Sequence, residues 1–170
     1  MRFAVETWAA EYGSPTGEAA LGAAETGVAA NVEVPIADWA PRPPPAATVA
    51  ARTVGFVDGV RRVEARLWVT SADGSVRQGI CASYAAGLVR CDGRPALMAA
   101  EVRRGLFCPA DTADAIVTRY GRFDVNPVTS DDPDDLSLVH QGEMARLEVA
   151  VAAAADGVDL IVVDGPLKVG

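Results

Sequence analysis

Val54-Gly55-Phe56-Val57-Asp58-Gly59 and, later in the chain, Leu160-Ile161-Val162-Val163-Asp164-Gly165 share one pattern: a short apolar run that ends in Asp-Gly. Runs of this length and composition read as buried central strands. A carboxylate at the end of such a strand is costly to desolvate without a partner. Glycine next to it lets the chain turn sharply and approach a ligand closely. Two such carboxylates most simply share one counter-charge, and a divalent cation is the usual one. The pair therefore predicts a sheet-borne metal site at Asp58 and Asp164.

The 170 residues suit one domain with a substantial core. Half are hydrophobic, with Ala and Val prominent, which marks a globular composition rather than a disordered one. A formal charge of -8 argues against broad electrostatic adhesion to nucleic acid or anionic membrane, although local Arg clusters and a metal can offset it. Cys81, Cys91 and Cys108 are odd in number and form no CxxC pair, so reduced thiols rather than a zinc site are expected. The N-terminus has no apolar segment before a cleavage site, and no stretch reaches the length of a membrane span. The expected location is cytoplasmic, with no membrane partner.

Working outward from the two runs, residues 1–52 read as an N-terminal arm. Phe3 to Trp8 alternates like a short strand, 9–30 is an Ala/Gly/Glu-rich loop with at most one short helix, and Val32 to Ile36 suggests another strand. Pro41-Arg42-Pro43-Pro44-Pro45 then enforces an extended connector. The core is placed at 53–170. Thr53–Asp58 is its first strand and Arg62–Val69 a half-exposed second, closed by a hairpin turn at Ser71-Ala72-Asp73-Gly74. Val76–Val89 is a third strand, with Gly87 as a bulge candidate. Residues 95–130 stay unassigned, and Thr112–Tyr120 fits helix or strand. Asp131-Asp132-Pro133-Asp134-Asp135 supplies cap and first-turn acids for a helix over 134–155, which Gly157 ends. Strand 158–163 follows. The expected fold is α/β: an RNase H-like mixed sheet with flanking helices, incomplete at its C-terminal end.

A phosphodiesterase site needs a third acid. At 3.6 residues per turn Met144, Glu148, Val151 and Ala155 share one helix face, which places Glu148 in the apolar stripe and Glu143 toward solvent. Asp58, Glu148 and Asp164 are accordingly the candidate catalytic and metal-ligating residues. Oxygen ligands without a His/Cys cluster favour Mn²⁺ or Mg²⁺. Arg61 and Arg62, just beyond Asp58, are the candidate substrate-binding groups for phosphate.

These residues resemble the NurA family of DNA-repair nucleases. The resemblance rests on Phe56-Val57-Asp58-Gly59 followed by basic residues, a helical Arg146-Leu147-Glu148, and Ile161-Val162-Val163-Asp164-Gly165-Pro166-Leu167, and it spans most of 53–168. It implies an RNase H-like fold and Mn²⁺-dependent 5'-3' exonuclease and single-strand endonuclease activity in DNA end processing and double-strand break repair. A homodimer working with a HerA-type hexameric ATPase is implied too, with Asp58, Glu148 and Asp164 as ligands. The chain departs from the pattern in having Val60 where Ser commonly follows Asp-Gly. Family members also continue beyond the third acid, so a partial nuclease core is expected.

Plainer readings stand beside these. Each Asp-Gly alone reads as a turn, His140 as a satisfied or exposed helical residue, Tyr84 and Tyr120 as core or surface aromatics, and Arg103-Arg104 as solvated surface. The competing function is a catalytically inactive module that binds a HerA-type ATPase through an exposed sheet edge. An actin-like ATPase needs a Gly/Ser/Thr-rich phosphate hairpin, which Val60-Arg61-Arg62 does not supply.

Overall fold

A computed structural model describes residues 2–6, 34–71, 73–109 and 113–164. The chain forms two compact units: residues 13–50, and a larger unit of 1–12 with 51–170. In the smaller unit Ile36–Asp38 is one 3₁₀ turn where a strand end is expected, and Trp39 Nε1 donates to the Val34 carbonyl (3.1 Å). Residues 9–30 and the first two residues of the expected strand at 32–36 lie outside the described residues.

The larger unit is a mixed α/β fold, a seven-stranded mixed sheet with one α-helix among the described residues. Its strands are β1 (Arg2–Val5), β2 (Val54–Thr70), β3 (Val76–Cys91), β4 (Pro95–Cys108), β5 (Ile116–Thr118), β6 (Gly121–Pro127) and β7 (Leu160–Val163). The spatial order is β1-β2-β3-β4-β6-β5. β7 lies parallel to the first residues of β2, and β1 lies antiparallel to its last ones. Helix α1 (Pro133–Ala153) starts at the Asp132 cap, whose carboxylate accepts from Asp134 N–H (2.8 Å). Pro133 and two acids fill its first turn. Gly157, at φ +67, turns the chain back toward β7. No described helix is long and apolar enough to cross a membrane.

Two expected strands prove to be one. β2 runs unbroken for 17 residues, so the antiparallel meander is β2-β3-β4, and its third member lies in the segment the sequence leaves unassigned. The Asp-Gly at 58–59 is not a turn, because the β3 ladder holds both residues in extended backbone: Asp58 faces Gly87 and Gly59 faces Ala86. Nor does Gly87 form a bulge. The shift against β4 falls one residue later, where Leu88 and Val89 face Ala99 and Leu97, leaving Met98 extra.

A second bulge organises the core. Val63 pairs Ala82 while Ala65 pairs Cys81, so Glu64 is the added residue. Before it, Val57 and Val63 face α1 and join Ile80, Ala82, Tyr84, Ala86, Leu88, Phe107, Leu136, Leu147 and Val151. After it, Leu67 and Val69 face the other side and pack with Cys81, Leu106, Cys108 and Phe123. A one-residue insertion flips the side-chain phase, so one strand serves two cores. Ser83 Oγ donates to Glu64 Oε1 (2.6 Å) and holds the extra residue.

Deleting Glu64 should therefore send Leu67 and Val69 to the wrong face. The expected loss is about 3–6 kcal/mol, two buried aliphatic side chains at about 1.5–3 each. Urea unfolding checks it, and a wild-type midpoint would contradict the bulge assignment.

Candidate functional site

The site begins with a register. Asp159 Oδ2 accepts from the backbone N–H groups of Arg52 and Thr53 (2.9 Å each), and Asp159 N–H donates to the Thr53 carbonyl (2.9 Å). This clamp starts the parallel pairing Val54↔Leu160 and carries it to Val57↔Val163. The next residue on each chain is Asp58 and Asp164. Neighbouring strands lie about 4.8 Å apart, so the two aspartates emerge side by side. Asp58 Oδ1 accepts from Gly59 N–H (2.8 Å). Gly165 lies outside the described residues.

Glu148 arrives from α1. Its carboxylate lies directly over Gly59: a Cβ there would collide with Oε1, meet Cδ at 2.9 Å and touch Met144 Cγ at 3.0 Å. Glycine at 59 thus serves the close approach of a helix carboxylate, where the sequence suggests a turn. Glu148 is 8% exposed. Burial pushes its pKa up from the ordinary value, the Asp58 carboxylate adds to the rise, the Gly59 backbone N–H partly offsets it, and Asp164 raises it further. The three expected acids are therefore within electrostatic range of one another.

They do not form a tight cluster. Val57 and Gly59 face α1, so alternation places the Asp58 side chain on the opposite face of β2, with Glu148 reaching the same backbone from the helix side. Among the described residues no three His, Cys, Asp or Glu side chains converge closely enough to hold a metal ion.

The two arginines diverge. Arg61 Nη1 donates to Ser137 Oγ on α1 (3.2 Å), whereas Arg62 Nε lies 3.7 Å from Glu64 Oε2. Successive residues point to opposite faces, so the two guanidinium groups do not share one side of the strand. Glu143 is half-buried and ion-paired with Arg146. His140 is neither exposed nor fully satisfied: it is 1% exposed, with Nε2 bonded to the Ser83 carbonyl (3.2 Å) and Nδ1 lacking a partner. Burial pushes the Cys81 thiol up to about 12, which removes it as a nucleophile at neutral pH.

Sequence reasoning missed Asp159 and Glu64. Asp159 carried a usable signal, a short acceptor directly ahead of an apolar run, where free backbone donors collect. Glu64 carried none, since the alternation of 62–69 looks regular when read alone. No family model matches the chain, and no curated protein matches it.

The folded state binds a proton at Glu148 more tightly than the unfolded state does. Ionised Glu148 therefore costs stability at neutral pH, and the cost is relieved as pH falls through the folded value toward the ordinary 4.5. Glu148→Gln should accordingly melt higher than wild type at neutral pH, with the difference closing on acidification. Melting curves across that range check this, and a lower-melting variant at neutral pH would contradict it.

Proposed function

We propose that the chain is a metal-dependent DNA nuclease of NurA-like, RNase H-like type, acting in DNA end processing. The observation that carries this reading is the seating of Glu148 over Gly59, beside the Asp58–Asp164 register pair. The order β4-β3-β2-β7, with α1 between β4 and β7 in sequence, supports the RNase H-like assignment.

The donor chemistry suits a hard divalent cation, although among the described residues the side chains do not converge on one. The donor set is all carboxylate oxygen, the absence of a Cβ at 59 opens space that Glu148 fills, and mutual repulsion among the acids is what a cation relieves. Asp58, Glu148 and Asp164 would hold Mn²⁺ or Mg²⁺. When bound, such an ion supplies charge stabilisation for in-line displacement at phosphorus. Arg61 can exchange its Ser137 bond for a phosphate oxygen, while Arg62 reaches along the opposite face. A cytoplasmic homodimer working with a HerA-type ATPase completes the proposal.

One observation favours the second reading, an inactive module that binds such an ATPase. On the side of the sheet away from α1, Phe56, Val60, Leu97 and Val102 are 46%, 67%, 68% and 61% exposed. An open apolar sheet face of this kind marks an interaction surface.

Thermal unfolding with EDTA, Mg²⁺ or Mn²⁺, beside Asp58→Asn/Asp164→Asn, separates the two. Metal at a hundred times its Kd adds about 2.7 kcal/mol. For a chain of this size that corresponds to a rise in Tm of roughly 5–11 °C. The rise should vanish in the double variant, together with cleavage of single-stranded DNA. A cooperatively folded protein showing neither response would leave the interaction module.

A further inference from the structure

We propose that His140 is a pH-operated latch: α1 docks on the sheet only while the His140 ring is neutral, and protonation of the ring releases the helix and Glu148 with it. The inference does not depend on the nuclease reading. His140 sits one turn from Ser137 and one turn from Met144, on the buried face of the helix, against Phe107 (ring centroids 5.2 Å apart) and edge-on to Tyr84 (5.9 Å). The Ser83 carbonyl can only accept, so Nε2 carries the proton and Nδ1 holds the bare lone pair. Nδ1 has no exposure to solvent and, among the described residues, no partner. A second proton would create a buried N–H without an acceptor and a cation enclosed by aromatic rings and Arg61.

Among the described residues no negative counter-charge is paired with the ring. From β2 the facing charge is Arg61, which is itself positive and disfavours a second cation. From β3 the facing titratable side chain is Tyr84, whose ring lies edge-on to the imidazole and whose pKa burial raises. Around Tyr84 stand Glu143 and Arg146 of α1, Arg103 of β4 and Asp124 of β6, two acids and two bases whose charges offset one another. β4 itself presents Phe107 to the ring. Burial holds His140 below its ordinary 6.5, the Ser83 bond partly offsets this, and Arg61 adds to the lowering. Below about pH 6.5 the unfolded or undocked chain takes up a proton that the docked chain refuses, so docking weakens as pH falls toward the folded value.

His140 is the only histidine, so its imidazole gives a single NMR resonance pair in the intact chain. The test follows that titration together with amide hydrogen exchange of α1 and β3, corrected for intrinsic rates, at about pH 7 and about pH 5.5. The latch predicts a several-fold loss of protection in α1 at the lower pH, at most about eightfold for one imidazole, while β3 stays protected. His140→Phe keeps the ring packing and should abolish the loss, leaving only the opposite dependence that Glu148 gives. A ring that protonates while α1 stays protected would overturn the proposal. So would equal loss across α1 and β3, or the same helix loss in His140→Phe.

Discussion

The extra residue at Glu64 is the constraint on which the rest of the sheet depends. Without it, β2 would present one apolar face along 17 residues, and only one of the two cores could form. With it, the strand's first part faces α1 and its last part faces the cluster around Leu106 and Phe123. The insertion leaves a carboxylate to be satisfied, and Ser83 Oγ and Arg62 meet it. The same division gives β2 two different edge partners, β7 at its start and β1 at its end.

That division also fixes the acidic site. Because β7 joins only the first residues of β2, it ends where Asp58 begins, and the Asp159 clamp makes this alignment unique. A slip of one residue would exchange the faces of β7 and move Asp164 away from Asp58. α1 then brings Glu148 onto Gly59 because Leu147 and Val151, on the same helix face, are anchored in the core. Packing of aliphatic side chains thus determines how near three like charges come to one another.

Much of this was legible in the residues. The cap acids and Pro133 marked the start of α1 within one residue, and the apolar stripe identified Glu148 as its buried carboxylate. The run 160–163 reads as a buried central strand; it is a strand, but three of its four residues are exposed and its partner among the described residues is β2 alone. What failed was punctuation. Asp58-Gly59 and Gly87 read as a turn and a bulge because glycine usually marks them, yet at 59 glycine answers a tertiary demand, the space taken by Glu148. β4 escaped notice because its outer residues, Ala96 to Val102, are almost all exposed and show no period-two contrast. Its buried end, Gly105–Cys108, is continuously apolar because the curled sheet covers both faces there.

Two local rules are broken at one place. A glycine in the interior of a long strand weakens it by roughly 0.5–1 kcal/mol relative to Ala. A glutamate in a helix's buried stripe costs desolvation that Leu or Gln would not incur. Either departure alone could be compensated locally, but here each makes sense only through the other: the missing Cβ exists where the carboxylate needs room, and the carboxylate faces two further acids that raise its proton affinity. Natural sequences concentrate such departures at functional sites and stabilise the fold elsewhere. His140 adds a third departure on the same helix, a dry ring nitrogen whose proton preference runs opposite to that of Glu148. The helix that carries the buried acid is thus held by a neighbour that tolerates only the neutral form, so acidification relieves the cost at Glu148 while it weakens docking at His140.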